Sequence, residues 1–155
     1  MGRITASRKQ LKPDPRYNSL LASKFINCLM HKGKKTVAQR IVYSAMEIVE
    51  KQASRPPLEI FQEALRNATP LLQVKARRVG GATYQIPIEV APRRGSAMAM
   101  RWLITSSRAR KGRPMHEKLA QEFLDAARGD GAAVKRREDL HRMADANKAF
   151  AHYRW

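Results

Sequence analysis

Between Leu72 and Val90 the apolar residues change period, and that change limits what this chain can fold into. Tyr84, Ile86, Ile88 and Val90 alternate with Gln85, Pro87, Glu89 and Ala91, the period of a strand with one apolar face. Upstream, Leu72, Val74 and Ala76 alternate with Gln73, Lys75 and Arg77. Gly80-Gly81 separates the two runs, so the segment reads as a β-hairpin. Pro87 has no N–H to give a ladder, which makes its strand an edge. A lone two-stranded hairpin is marginal in water. Its base is therefore expected to pack on helices while its tip projects as an arm, about 20 Å long at ~3.3 Å per residue.

Elsewhere the period is helical. Helix one is expected from about Ser19 to His31, with Leu21, Phe25 and Leu29 on one stripe. Helix two runs from about Thr36 to Gln52 and is expected to bury Val37, Ile41, Ala45 and Ile48. Pro56-Pro57 opens helix three, which carries Leu58, Phe61, Leu65 and Ala68. Helix four spans about Gly95 to Ser107 with Ala97, Met100 and Ile104, and helix five Met115 to Arg128 with Leu119, Phe123 and Ala127. Helix six follows Gly131 and is expected to continue through Leu140, Met143 and Phe150 toward Trp155. Lys12-Pro13-Asp14-Pro15 forbids a helix at the start, so residues 1–15 read as an extended basic arm. The fold class is mainly α, a six-helix body with one protruding two-stranded antiparallel β-hairpin. We expect a single domain over 1–155, with the hairpin arm at 72–91.

The charge is unevenly placed. The 155 residues hold 31 Lys and Arg against 13 Asp and Glu, a net of +18. Residues 1–46 contain one acid, Asp14, and residues 73–116 contain one, Glu89. Those two blocks carry the whole net charge, and the remaining segments are neutral. A field of this size repels itself and attracts polyanions, so the segregated blocks read as a contact surface.

Several functions are excluded. The most apolar N-terminal stretch, Leu20 to Met30, is broken by Lys24 and is too short to span a membrane. Gly33-Lys34-Lys35-Thr36 lacks the glycine and hydroxyl spacing of a P-loop and lies between helices. Cys28 and His31 have zinc-like spacing, yet no second pair exists; a buried Cys and a loop His is the better reading, with no metal and no cofactor. A single cysteine fits a reducing compartment. Acids are too scarce near the basic blocks for a two-metal nuclease, and no nucleophile motif occurs. We find no catalytic constellation.

Binding has firmer grounds. Arg94, Arg101 and Arg108 recur every seven residues and so share one slowly drifting helical stripe, each step rising about 10 Å. Arg77-Arg78 lies beside the Gly80-Gly81 tip, where little side-chain bulk keeps a polymer backbone away. Trp102, amid Met98, Met100 and Leu103, reads as core. Tyr153-Arg154-Trp155 either stacks on bases or pins the C-terminus. With 6% aromatic residues an RRM-like stacking sheet is disfavoured. Residue chemistry alone gives a reader of shape and phosphate in structured nucleic acid.

At the hairpin a resemblance takes over. Lys75-Ala76-Arg77-Arg78-Val79-Gly80-Gly81-Ala82-Thr83-Tyr84-Gln85-Ile86-Pro87-Ile88-Glu89-Val90 resembles the hairpin of the small-subunit ribosomal protein seven family, bacterial type. Pro13-Asp14-Pro15, Lys24-Phe25-Ile26-Asn27, Gly33-Lys34-Lys35, Arg101-Trp102-Leu103 and the run from Met143 to Trp155 resemble that family in its order. The likeness covers essentially the whole chain and is weakest over Met1 to Lys12 and Ala53 to Glu63.

The resemblance implies a non-enzymatic structural protein. It would bind the 3′ major domain of small-subunit rRNA and nucleate assembly of the subunit head, among ribosomal proteins nine, eleven, thirteen and nineteen. Carried over by position, rRNA contact falls to Arg3, Arg8, Lys9, Lys12, Lys32, Lys34, Lys35, Lys75, Arg77, Arg94, Arg101, Arg108, Arg110, Lys111, Arg113, Met115 and His116. Proximity to exit-site tRNA and mRNA falls to the tip, Arg78, Val79, Gly80, Gly81, Ala82 and Thr83, and to Arg142 and Lys148 on the last helix. Some relatives continue past the point where this chain ends, so a role for such an extension is not expected here. Without a recognisable leader the expected location is cytoplasmic, in the small ribosomal subunit; a plastid-encoded copy would read the same way. Two rivals stay open: a free basic nucleic-acid-binding regulator, which should prefer duplex DNA, and an RNA-modification factor, which would need a reactive site.

Overall fold

Local chemistry sets where each helix begins. The computed structural model describes residues 10–153. In it, α1 (Leu20–Leu29) starts behind Ser19, whose hydroxyl accepts the Ala22 N–H at 3.3 Å. Lys32 and Gly33, both left-handed, turn the chain into α2 (Lys35–Ala53). Proline at the first position opens both α3 (Pro57–Ala68) and α4 (Pro92–Ala109). Helix four thus begins three residues before the sequence expectation, because Pro92 nucleates it and draws Arg93 and Arg94 into the first turn. After α5 (Met115–Ala127), left-handed Gly129 and Gly131 reverse the chain into α6 (Ala132–Ala146).

Helix six does not continue to the end. The Asn147 side chain donates to the Met143 carbonyl at 2.7 Å and caps it, and residues Lys148–Tyr153 form a 3-10 helix instead. A 3-10 turn stacks positions three apart. Phe150 and Tyr153 therefore meet the same target, the Tyr84 ring, at centroid distances of 5.0 and 5.4 Å. Tyr153 pins the C-terminal segment; Arg154 and Trp155 lie outside the described residues.

The hairpin pairs β1 (Leu72–Val79) with β2 (Ala82–Glu89) antiparallel, from Leu72 opposite Glu89 to Val79 opposite Ala82. Gly80 and Gly81 both take positive φ, 57° and 86°, as a two-residue type I′ turn requires. Its base is held by Ile86, 1% exposed, and by His141 of α6, whose Nε2 accepts the Leu71 N–H at 2.9 Å. The grip of the C-terminal segment on Tyr84, opposite Arg77, shortens the projecting arm. Only the pairs beyond it, Arg78 with Thr83 and Val79 with Ala82, and the turn extend past that aromatic clasp.

The core gathers around α5, which packs on α2, α3, α4 and α6. Phe25, Phe61 and Phe123, from α1, α3 and α5, are fully buried and lie 5.3 Å apart pairwise, in tilted or edge contacts. Helix two is rotated by one residue from its expected face: Ala38, Val42, Ala45, Met46 and Val49 are buried, while Val37 is 46% exposed. Two adjacent apolar stripes run along this helix, and periodicity alone does not tell which is central. Cys28 is exposed, against the expectation of burial.

The N-terminal segment is also tied down where it is described. Asp14, 2% exposed, accepts the backbone N–H groups of Arg16 and Tyr17 at 3.0 Å each, and the Tyr43 hydroxyl at 2.6 Å. The expected extended arm therefore ends in a turn fastened to α2. Burial and the bond to Asp14 push the Tyr43 phenol up to about 12 from 10.0.

Two stability predictions follow. Phe123→Leu should cost about 2 kcal/mol in urea unfolding, through lost ring contacts and imperfect repacking. The folded pKa of Tyr43 lies above its unfolded value, so its contribution is full below pH 10.0 and is lost as pH rises toward about 12. Tyr43→Phe should cost about 1–2 kcal/mol at pH 7 and abolish that component of the alkaline loss.

Candidate nucleic-acid interface

Ion pairing divides the charged residues into two populations. About half of the acids of the neutral segments hold partners from those same segments: Arg55 with Glu59 and Glu63, Arg128 with Asp125, Arg137 with Glu138, Arg142 with Asp139. From the two basic blocks, Arg16 bonds Glu47 at 2.7 Å and Arg110 bonds both Glu122 and Asp125 at 2.7 Å. Among the described residues, Lys12, Lys32, Lys34, Lys35, Lys75, Arg78, Arg94, Arg101, Arg108, Lys111 and Arg113 form no ion pair within 4.0 Å. No carboxylate among the described residues answers their charge.

The fold gathers many of them into three grooves. The first, about 320 Å³, has an apolar floor of Leu29, Val37, Ala38, Ile41 and Met115, and a rim of His31, Lys32, Lys34 and Arg108. It unites the α1–α2 turn with the end of α4 and the start of α5. Arg108 is oriented there by donating to the Leu29 carbonyl at 3.3 Å. A second groove, about 410 Å³, runs between α4 and α6 and is lined by Arg94, Met98, Arg101, Trp102, Thr105 and Arg136. A third, about 290 Å³, holds Arg110, Lys111 and Arg113 beside Glu117, Lys118 and Gln121.

The structure adds to two sequence expectations and corrects a third. Arg94, Arg101 and Arg108 all lie on α4, but Arg108, about 10 Å further along than Arg101, lines the first groove and the other two line the second. Trp102 is half-buried rather than core, with the Arg136 guanidinium 5.7 Å from its ring centre. Arg110 is a structural cation. Its guanidinium meets Glu122, which is fully buried, while the other Glu122 oxygen accepts the Ala133 N–H at 3.0 Å and so holds the start of α6. Burial works against the charges of this cluster, but the hydrogen bonds prevail, raising Arg110 and holding Asp125 below its ordinary value.

The other expected residues are distributed. His116 is half-buried at the start of α5, and Lys75 and Arg77 lie on β1. The tip, Arg78 to Thr83, is exposed apart from half-buried Val79, and Arg142 and Lys148 are exposed on α6 and the C-terminal turn. Arg3, Arg8 and Lys9 lie outside the described residues. Sequence reasoning missed Arg136, which sits in a neutral segment and joins the basic groove only because α6 packs along α4. It also missed the apolar floor of the first groove, whose residues look like ordinary core.

The model of the family described as ribosomal protein S7p/S5e matches residues 1–148. This chain belongs to that family. The small ribosomal subunit protein uS7 of Dictyoglomus thermophilum is 56% identical over 147 residues, 95% of this chain and 94% of the relative. That of Thermotoga neapolitana is 53% identical over the full length of both chains. The uS7 protein of Acaryochloris marina is 57% identical over 153 residues, 99% of this chain and 98% of its own. The family likeness expected from the hairpin and the C-terminal run therefore holds over almost every residue. No helix among the described residues is long and apolar enough to cross a membrane.

In this S7p/S5e member the Glu122 cluster fixes the loop that presents Lys111 and Arg113. Glu122→Gln should cost about 2–3 kcal/mol in urea unfolding, less than the ~3–5 of a fully buried pair because half-exposed Arg110 can rehydrate.

Proposed function

We propose that this chain is a structural constituent of the small ribosomal subunit that binds the 3′ major domain of its rRNA and nucleates assembly of the head. The observation that carries this is the placement of charge: the two basic blocks hold the whole net charge, and seven of their cations that form no ion pair among the described residues line grooves, while acids and bases balance in the neutral segments. Phosphates supply the missing partners. Lysines and arginines on several elements neutralise backbone phosphates of rRNA helices that converge on one protein, fixing register rather than reading bases. The role is architectural and not catalytic.

The finer assignments follow by position. Lys32, Lys34, Lys35, Arg108, Met115 and His116 meet rRNA around the first groove; Arg94 and Arg101 do so along α4, Lys111 and Arg113 in the loop, and Lys12, Lys75 and Arg77 on the arm and hairpin. The exposed tip, Arg78 to Thr83, reaches the exit site beside tRNA and mRNA, with Arg142 and Lys148 on the same side. Ribosomal proteins nine, eleven, thirteen and nineteen are its protein neighbours, and its place is the cytoplasm.

Filter-binding titrations across salt concentrations test this. A 3′ major domain transcript should bind far more tightly than scrambled RNA of equal length or duplex DNA, and should keep that preference near physiological salt. Equal binding to all three, collapsing as salt rises, would leave a mere polycation. Arg94→Gln and Lys111→Gln should each lower the slope of log affinity against log salt by roughly 0.7–0.9. Arg110→Gln, already engaged with Glu122, should lower it by less.

A further inference from the structure

The groove between α4 and α6 differs from an ordinary basic patch because it has a flat aromatic wall. Trp102 packs against the core and is half-buried. Arg94 and Arg101 stand one stripe away on the same helix, Arg136 comes across from α6, and Met98 and Thr105 complete the lining. No carboxylate lines it, so none of the three arginines is neutralised there, and none forms an ion pair among the described residues.

The position of Arg136 points to the ligand. Its guanidinium lies over the Trp102 ring, 5.7 Å from the ring centre, too far to be stacked on it. That contact is weak at an exposed site, so a larger planar group competes for the surface. We propose that this groove is a subsite for a single unstacked nucleotide of the bound RNA. The base lies on Trp102, its 5′ and 3′ phosphates meet Arg94 and Arg101, and Arg136 swings from the ring to the backbone. Thr105 offers a hydroxyl to the base edge. The proposal rests on the rRNA-binding role above and adds a stacking contact to one built from phosphate contacts.

A duplex keeps its bases stacked on one another, so the subsite selects single-stranded or bulged nucleotides. Stacking on an aromatic ring changes affinity by roughly 5- to 150-fold per base and tolerates any base identity. The charged contacts scale with salt, whereas the stacking contact does not.

Two measurements on the full chain decide the matter. The chain has two tryptophans, so Trp155→Phe leaves Trp102 as the sole indole reporter. A short single-stranded oligoribonucleotide and the 3′ major domain transcript should both quench its emission, and a blunt RNA duplex should not. In parallel, Trp102→Phe should bind the transcript within about 3-fold of the parent. Trp102→Leu should bind roughly 5- to 150-fold more weakly with an unchanged salt slope, its urea midpoint establishing that it is folded. Unchanged emission at saturating single strand, or a folded Trp102→Leu that binds like the parent, overturns the subsite and leaves the rRNA role standing. Loss of preference for the transcript over scrambled RNA, with quenching by single strand intact, overturns the rRNA role and leaves the subsite.

Discussion

Glu122 is the carboxylate on which the arrangement of the basic surface depends. It is fully buried, and an unpaired charge there would be untenable, so both its oxygens must be answered. One takes the Arg110 guanidinium and the other the N–H of Ala133. A single side chain of α5 thereby fixes the loop after α4 and the first turn of α6. Gly131, at φ 93°, is what lets the chain approach: a Cβ there would sit 3.3 Å from the Glu122 carboxylate. The α4–α6 groove, with Arg136 on one wall and Trp102 on the other, exists because those two helices are held at one end by this anion. Arg137 and Asn67 extend the clasp, Arg137 donating to the Asn67 carbonyl at 2.6 Å while the Asn67 amide caps the end of α5.

The same logic explains how a chain of net charge +18 folds at all. Most internal ion pairs lie within the neutral segments, while both basic blocks give their apolar faces to the core and leave most of their cations exposed on its outside. There they stay hydrated, and their repulsion is spread over water of high dielectric. Asp14 shows the division at its boundary. It lies inside a basic block, yet it is spent on two backbone N–H groups and Tyr43 rather than on a lysine.

Much of this was legible in the residues. The switch of period at Leu72, the Gly80-Gly81 turn and the Pro56-Pro57 start of helix three all encode local geometry, and the structure has them where local rules put them. Departures arise where tertiary contacts choose between local options. Asn147 ends α6 because Phe150 and Tyr153 gain Tyr84 as a partner, a contact between residues 66 and 69 positions apart that no window can see. Helix two turns its Ala38 and Val42 stripe inward although the Val37 and Ile41 stripe is as apolar. For the candidate interface, charge blocks mark the segments from which most groove-lining cations come, but which cation serves structure and which faces outward was hidden. Arg110 and Arg136 exchange the roles their sequence neighbourhoods suggest, the first turned inward by Glu122 and the second carried outward by helix packing.

That exchange bears on how binding and folding are coupled. In the free protein the core and polar anchors such as Glu122 and Asp14 hold the repelling cations in place. A polyanion seated on the grooves removes the repulsion and stabilises the same geometry, since any ligand that binds the folded chain alone adds to its stability by mass action. The apolar floor of the first groove and the ring of Trp102 make that gain more than ionic, because each offers surface that an ordinary counterion cannot cover. A basic face built in this way discriminates between a cloud of salt and a structured strand: phosphate charge brings the polymer in, and the shape between the charges decides whether it stays.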